Sequence, residues 1–244
     1  MNKIAIVGTG NVAFHLKKAL EIPSRTIDII NSRTLHGIEN SYDLIIIAVS
    51  DDAIENVSKN VASVIPDFRG IVVHTSGSMK MSILKLLFKR HGVFYPLQSF
   101  SKSIPIPDYR QIPVFLEGDS DSTVIALMQF ASRSFDRCVE LSSQLRKQLH
   151  LASVYTCNFV NALYGIGHDI LKKHNLNYDF LRPLIEYTTL KAMWLSPDVA
   201  QTGPARRGDK NLIDSHLEQL ADEPDLKNIY SVLSDYIYKK YHHE

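Results

Sequence analysis

The stretch Lys3–Ala13, KIAIVGTGNVA, decides the fold, because it runs an apolar strand into a glycine-rich turn and then into a helix. Gly8 permits a sharp turn out of the strand, and Gly10 removes the Cβ that would keep a pyrophosphate away from the main chain. Ala13 lets the helix pack closely on the sheet and direct its free N–H groups at the phosphates. The pattern predicts dinucleotide binding by Gly8, Thr9, Gly10, Asn11 and Val12. The alternative interpretation is a glycine turn without a ligand.

The residues after the second predicted strand, Thr26–Ile30, select the nucleotide. An NAD site would carry Asp or Glu there, whereas this sequence has Asn31-Ser32-Arg33-Thr34. A guanidinium and two hydroxyls suit a 2′-phosphate, so Ser32, Arg33 and Thr34 predict NADP as the cofactor. Asp28, inside the strand, is the acidic rival. A solvated surface arginine is the other interpretation of Arg33.

Composition indicates a soluble enzyme and excludes several other classes. The net charge of +1 gives no electrostatic case for nucleic acid or for an anionic membrane surface. The longest apolar run, Leu44–Val49, is far too short to span a membrane. No signal peptide is expected before the first strand, because Gly8 already belongs to the predicted fold. Cys138 and Cys157 are too few for a disulfide framework and fit a reducing cytoplasm. The histidines show no ligand spacing, so no metal site is predicted.

Strands and helices alternate through residues 1–141, which predicts an α/β Rossmann domain with a doubly wound parallel sheet. Ligands of such sheets bind outside the carboxyl ends of the strands. Val49 and Ser50 are therefore expected at the cofactor, and the 74–78 and 95–98 segments are expected on the same rim. The predicted later strands are Leu44–Val49, Ile71–His74, Val93–Tyr95, Val114–Glu117 and Cys138–Leu141.

Residues 142–244 show only helical patterns and predict an all-α domain for substrate binding and dimerisation. A long helix is expected from about Gln144 to Lys173, with shorter ones over 178–194, 210–220 and 224–241. The centre of the long helix, Leu149–Ile170, is apolar or small nearly all round, which predicts burial on most sides. Such a helix either occupies the middle of its domain or packs against a second subunit. The latter predicts a homodimer.

The long helix also carries the candidate catalytic residues. In a regular helix, His150, Asn161 and His168 fall within about 20° of one line, and Asn158 lies on the flank. Hydride transfer to a carbonyl or imine needs a proton donor, and imidazole exchanges protons readily near neutral pH. We therefore expect His150, with Asn158 or Asn161, to be catalytic. His168 is interpreted as a core residue, and Lys147 is a competing donor.

A cationic turn follows the helix predicted over residues 178–194. Residues 201–209, QTGPARRGD, place Arg206 and Arg207 between glycines and a proline. The functional interpretation is that Arg206 or Arg207 captures a substrate carboxylate or a cofactor phosphate. The alternative is an ordinary surface turn.

Five motifs spread over the chain are GTGNVA (8–13), VVHTSGS (72–78), VFYPLQSFSK (93–102), LHLASVYTCNFVNALY (149–164) and QTGPARRGD (201–209). In these motifs the chain resembles a bacterial family that joins an N-terminal Rossmann-like domain to an all-α domain of unknown function. Its plan is similar to pyrroline-5-carboxylate reductase, the β-hydroxyacid dehydrogenases and the deazaflavin-dependent NADP reductases. The resemblance implies NADP binding between two domains and a dimer built on the helical domains. It also implies that Ser76 and Gly77 hold the substrate, with Ser76 part of the catalytic set.

One departure from these enzymes limits what the resemblance implies. The β-hydroxyacid dehydrogenases carry a Lys and an Asn one turn apart on the long helix, but here Leu151 follows Lys147 and Val154 follows His150 at that spacing. Two hypotheses therefore stay open. One is an NADP-dependent oxidoreductase of a small carbonyl, imine or hydroxy compound. The other is a non-catalytic NADP-binding sensor or partner-binding dimer. A third ligand, S-adenosylmethionine, is disfavoured by Arg33 and by the helical second domain.

Overall fold

A seven-stranded sheet forms the N-terminal part of the protein in the computed structural model, which describes residues Met1–His242. The strand order is β2-β1-β3-β4-β5-β6-β7. The chain therefore leaves β1 toward β2 and returns to its other side with β3, which creates a switch point beside the glycine loop. The strands are β1 (Lys3–Val7), β2 (Thr26–Ile30), β3 (Leu44–Ile47), β4 (Ile71–His74), β5 (His91–Pro96), β6 (Val114–Gly118) and β7 (Cys138–Glu140).

Helices cover both faces of this sheet. The alternation of side chains along β1 sends Ile4 and Ile6 to one core and Ala5 and Val7 to the other. Helices α1 (Asn11–Leu20) and α3 (Asp121–Ala131) pack on the first face, and α2 (Asp51–Val64) packs on the second. All residues of β3 and β4 are buried, as expected for central parallel strands. The predicted doubly wound fold is confirmed.

One strand departs from the predicted parallel sheet. Strands β1 to β5 run parallel, but β6 is antiparallel to β5, with Phe94 opposite Leu116, and β7 is again parallel to β6. The connection from β5 to β6, residues 97–113, contains only a 3₁₀ turn (Tyr109–Gln111) and no α-helix. Parallel neighbours usually need a crossover helix, so the chain instead returns in the opposite direction.

Only helices follow β7 in the described part of the chain. They are α4 (Ser143–Ser153), a π-helical segment (Val154–Phe159), α5 (Val160–Lys173), a 3₁₀ helix (Tyr178–Leu181), α6 (Arg182–Trp194), α7 (Pro197–Ala200), α8 (Pro204–Arg207), α9 (Lys210–Gln219) and α10 (Pro224–Tyr241). The Ser142 hydroxyl caps α4 by accepting from the Leu145 N–H. The predicted long helix is therefore present, but its regular geometry is interrupted by the π segment.

The chain forms two compact units, Met1–Asn158 and a second one that begins at Phe159. Helix α4 and most of the π segment thus belong to the first unit, although the strands end at β7. The last two residues of the predicted helical domain lie outside the described residues.

The helical unit has almost no core of its own. Between Phe159 and His242, Ala205 alone is buried. Large apolar side chains are exposed, including Trp194 at 83% and Tyr187 at 66%. Of the two alternatives for the long helix, the structure does not show a central position in its own domain, since residues 151–170 contain no buried residue. Within residues 1–242, no helix combines the length and the apolar character that crossing a membrane requires.

Candidate functional site

The glycine loop after β1 has the geometry of a phosphate-binding turn. Gly8 has a φ of +141°, and a Cβ there would lie 2.1 Å from the Ala48 carbonyl oxygen, so the fold itself requires this glycine. Gly10 begins α1 without any side-chain cap, and a Cβ at Gly10 would meet nothing within 4 Å. No packing demand explains Gly10, whereas an approaching phosphate would. The residues present therefore fit the phosphates of a dinucleotide.

A cavity of about 770 Å³ opens beside this loop. Eight of the ten predicted cofactor residues line it, the exceptions being Gly8 and Thr34. Helix α2 adds Ala53, Asn56, Val57 and Asn60, which sequence reasoning missed. Their spacing of three and four residues marks one helical face and could have identified them. The full lining is Thr9, Gly10, Asn11, Val12, Ser32, Arg33, Ala48, Val49, Ser50, Ala53, Asn56, Val57 and Asn60.

Where the cavity meets the end of β2, its lining includes the cation of Arg33 and no carboxylate. Ser32 and Arg33 follow β2 and line the cavity, and the Arg33 N–H donates to the Asn31 side chain at 2.9 Å, which fixes the turn. Asp28, the acidic rival, does not line the cavity. Its carboxylate accepts from the Tyr42 hydroxyl at 2.9 Å, and burial together with Asp28 raises the pKa of Tyr42 to about 12. Asp28 is thus held by a hydrogen bond within the protein.

The turn after β4, residues 75–79, is organised by the Ser76 side chain. Its hydroxyl oxygen accepts from the N–H groups of Ser78 at 3.1 Å and Met79 at 2.9 Å. The Ser78 hydroxyl in turn donates to the Asp51 carboxylate at the start of α2. Ser76 is buried. Its visible role is therefore to shape the turn that the resemblance assigns to substrate.

Two buried side chains hold this turn from beneath. The Arg146 guanidinium, fully buried, pairs with Glu117 and donates to the carbonyls of Ser76 at 3.2 Å and Met79. His74 accepts from the Ser76 N–H through Nδ1 at 3.2 Å. Its Nε2 makes no hydrogen bond of normal geometry within the described chain, although the Lys80 backbone lies close enough to act on the ring. Burial and then Arg146 lower the pKa of His74 to about 4, so the ring is neutral at pH 7.

A tyrosine–histidine pair stands directly above the turn. The Tyr95 hydroxyl at the end of β5 lies 3.1 Å from His150 Nδ1, and the two rings meet edge to face. A Cβ at Gly77 would lie 2.7 Å from His150 Nδ1 and 2.7 Å from Tyr95 Cζ, so only glycine permits this approach. Burial raises the pKa of Tyr95 above its ordinary value. The structure therefore brings Ser76, Gly77 and His150 together.

Tyr95 was not predicted individually. The signal was its position as the last side chain but one of β5, on a segment that the strand order places on the same rim. Its hydroxyl could be linked to His150 only once the orientation of α4 was known.

The remaining predicted residues lie elsewhere in the chain. Asn158 is exposed in the π segment at the end of the first unit, and Asn161 is exposed in the second. Their expected alignment with His150 assumed a regular α-helix, and the wider turns of the π segment remove that basis. His168 is exposed beside Asp169, not in a core. Convergence of Asn158 or Asn161 on the site stays a prediction.

The two arginines of the 201–209 turn lie in the short helix α8 of the second unit. The Arg206 guanidinium stacks 4.1 Å from the ring centre of Tyr241. The Arg207 guanidinium lies 3.8 Å from the Asp209 carboxylate and is mostly exposed. Both remain predicted anion-binding residues.

Comparison with known proteins gives a family and a set of solved structures. The profile described as "Domain of unknown function (DUF2520)" matches residues 112–237. No curated protein matches the sequence. A protein of Bacteroides fragilis provisionally named an NADP oxidoreductase is 34% identical, with 98% of each chain covered and a TM-score of 0.90.

Two more distant structures share the fold. A protein of Thermotoga maritima is 20% identical over 98% of both chains, with a TM-score of 0.72. The 1-pyrroline-5-carboxylate reductase of Streptococcus pyogenes is 16% identical over 98% of this chain and 97% of its own, with a TM-score of 0.57. The profile match at residues 112–237 covers more than half of the chain, so the chain belongs to the family defined by the domain of unknown function DUF2520.

Proposed function

We propose that this protein is an NADP-dependent oxidoreductase that transfers hydride to or from a small carbonyl, imine or hydroxy compound. The observation that carries the proposal is the cavity beside the glycine loop, which ends at Ser32 and Arg33 without a free carboxylate. The name of the Bacteroides fragilis relative supports the same cofactor. Bound NADP would supply or accept the hydride, and the protein would bind, orient and handle the proton.

The strand rim supplies the groups for proton transfer in this proposal. A Tyr95 hydroxyl with a raised pKa keeps its proton at neutral pH and can donate to His150 Nδ1. This hydrogen bond would fix the imidazole proton on Nε2, which could then be donated to a substrate oxygen or nitrogen. The turn at Ser76 and Gly77, held by Arg146, would keep the substrate beside the imidazole.

We also propose how this enzyme binds the carboxylate of its substrate and how it assembles. Arg206 or Arg207 would hold a substrate carboxylate, since a guanidinium offers paired donors. The protein would act as a homodimer through its helical region, in a reducing cytoplasm that suits its two free cysteines.

The test of catalysis is NADPH oxidation by the purified protein against a panel of keto acids, imines and aldehydes. With an active substrate, His150→Ala should reduce turnover by roughly 10²–10⁴ with little change in NADPH affinity. Tyr95→Phe, which removes only the hydroxyl, should reduce turnover less. Lys147→Ala is the matched control, because Lys147 is exposed one turn earlier on the same helix. If Lys147→Ala lost turnover and His150→Ala did not, Lys147 would be the proton donor.

The same panel separates the second hypothesis. NADPH binding without turnover of any compound would favour a non-catalytic sensor, a possibility raised by the missing Lys–Asn pair of the β-hydroxyacid dehydrogenases. Failure to bind NADPH would contradict both hypotheses.

A further inference from the structure

The connection between β5 and β6, residues 97–113, is held against α1 by hydrogen bonds and ring packing. His15 of α1 is 1% exposed, and its Nε2 lies 2.8 Å from the Ser101 carbonyl oxygen. A carbonyl can only accept, so Nε2 donates to it, and Nδ1 lies within hydrogen-bond distance of the Tyr109 hydroxyl, at 2.8 Å. The Phe100 ring stacks on the imidazole at 5.1 Å. These contacts fix the path of the connection over α1.

This path carries Lys102 to the glycine loop. Its ammonium donates to the Thr9 carbonyl at 2.7 Å, between the two glycines of the motif. Its backbone N–H reaches the Asn11 side chain at 3.4 Å. Thr9 lines both the 770 Å³ cavity and a neighbouring cavity of about 460 Å³, which Lys102 also lines. The cation therefore stands at the edge of the place where phosphates are expected.

The charge of Lys102 is not neutralised by the protein. Among the residues that the structure describes, no carboxylate lies within ion-pairing distance of its ammonium, and its partner at Thr9 is a neutral carbonyl. The first turn of α1 also contains no acidic residue. The glycine loop itself offers only neutral N–H donors. An anion bound beside Thr9 would lie next to the ammonium of Lys102, which donates to the Thr9 carbonyl. Lys17, Lys18 and Glu21 line the same 460 Å³ cavity.

We infer that Lys102 is a ligand of the pyrophosphate of a dinucleotide bound at the glycine loop, an inference that rests on the proposed function. A phosphate oxygen would replace the Thr9 carbonyl as the acceptor, so the ammonium would donate to an anionic oxygen and no longer to a neutral one. Arg33 would bind the 2′-phosphate, which is attached to the same ribose as the pyrophosphate but at a different position. The two cations thus recognise different phosphates of one ligand. The glycine fingerprint contains no lysine, so sequence pattern alone does not indicate this role.

Lys102→Met tests the assignment by titration with two ligands. NADPH contains the pyrophosphate, whereas adenosine 2′-monophosphate keeps the 2′-phosphate and lacks the pyrophosphate. We expect Lys102→Met to weaken the binding of NADPH by about tenfold or more. The affinity for adenosine 2′-monophosphate should not change. Lys85→Met is the control, because Lys85 is exposed, lines a different cavity and gives the same change in net charge. It should change neither affinity.

Three results would overturn the inference. Unchanged NADPH affinity in Lys102→Met would remove Lys102 from the site while leaving the proposed function intact. Equal weakening of the binding of both ligands would show that Lys102 acts on the 2′-phosphate or that its substitution disturbs the fold of the site. Failure of the wild-type protein to bind NADPH would remove the proposed function and this inference together.

Hydrogen exchange gives a second readout that does not depend on affinity. At saturating NADPH, the amides of residues 99–104 should exchange more slowly in the wild type, because the ligand would anchor Lys102. The protection should be absent in saturated Lys102→Met and present in Lys85→Met. Equal protection in all three proteins would contradict the direct contact.

Discussion

At the scale of single residues, Arg33 places a permanent charge at the end of the cofactor cavity, and Asp28 is engaged elsewhere. An acidic ribose ligand would repel a 2′-phosphate, whereas a guanidinium can donate two parallel hydrogen bonds to it. The Tyr42–Asp28 hydrogen bond keeps the only nearby strand carboxylate within the protein. We therefore expect cofactor preference to depend chiefly on Arg33.

Arg33→Ala should weaken NADPH binding by ~1–3 kcal/mol, the scale of a charge-assisted hydrogen bond, and leave NADH nearly unchanged. Arg69→Ala, an exposed arginine that lines a different cavity, is the charge-matched control. Calorimetric titration of the three proteins measures the effect. An equal loss for NADPH and NADH would mean that Arg33 does not contact the 2′-phosphate.

His74 links the site turn to acid stability. Its pKa is about 4 in the folded protein, below the ordinary value near 6.5 of an unfolded chain. Between these values the unfolded chain binds more protons, so the free energy of unfolding falls as the pH drops below about 6.5 and continues to fall until about pH 4. The stabilisation is complete above this window.

His74→Asn should therefore flatten the acid side of the stability profile. The asparagine oxygen can accept from the Ser76 N–H as Nδ1 does, but it does not titrate. We expect the wild type to lose about 2 kcal/mol more than His74→Asn between pH 7 and pH 5. Urea unfolding at both pH values measures this difference. Identical losses in the two proteins would show that His74 can be protonated in the folded state.

At the scale of structural elements, the two glycines of the β1–α1 turn serve different ends. Gly8 is required by its positive φ and by the Ala48 carbonyl, whereas Gly10 has ordinary dihedral angles and open space at its Cβ position. The fold therefore requires Gly8, whereas we expect the ligand to require Gly10.

A matched pair of alanine substitutions separates these roles. Gly10→Ala should keep or slightly raise the free energy of unfolding, by about 0.4–1 kcal/mol, and should weaken NADPH binding at least about tenfold. Gly8→Ala should lower the free energy of unfolding by more than about 1 kcal/mol. Thermal unfolding and NADPH titration of both variants measure the two effects. Unaltered NADPH affinity in Gly10→Ala would contradict phosphate binding at this turn.

The elements that sequence predicted well are those encoded by local pattern. All seven strands, the glycine loop and most residues that line the cavity beside it follow from apolar runs and turn residues, which act over a few neighbours. The antiparallel direction of β6 and the π segment at Val154–Phe159 depend on how distant parts pack. The apolar sequence there gave no local sign of an extra-wide turn. Tyr95 and Lys102 were missed because their partners, His150 and Thr9, are remote in sequence.

At the scale of the whole molecule, the helices of the second unit expose large apolar side chains in the single chain. Ala205 is its one buried residue within the described range, while Trp194, Met193 and Phe180 are more than two-thirds exposed. Gly165 costs helix stability of about 1 kcal/mol relative to alanine, and nothing lies within 4 Å of its Cβ position. A second copy of the chain packed on these helices would account for both features.

Light scattering should therefore give a mass near twice 27.6 kDa at micromolar concentration. Gly165→Ala provides a second reading, because its effect has opposite signs in the two cases. In a monomer it should stabilise the exposed helix by about 1 kcal/mol, whereas in a close helical interface the added methyl should weaken the dimer. A monomeric mass with a more stable Gly165→Ala variant would remove the homodimer from the account.

Binding of NADP at the glycine-loop cavity is the central claim, and calorimetric titration of the wild-type protein with NADPH and NADH tests it most directly. The positions of Ser32 and Arg33, together with the absence of a free carboxylate at that edge, predict tighter binding of NADPH, by about the ~1–3 kcal/mol of a charge-assisted hydrogen bond. Equal or tighter binding of NADH, or no binding of either nucleotide, would contradict the account.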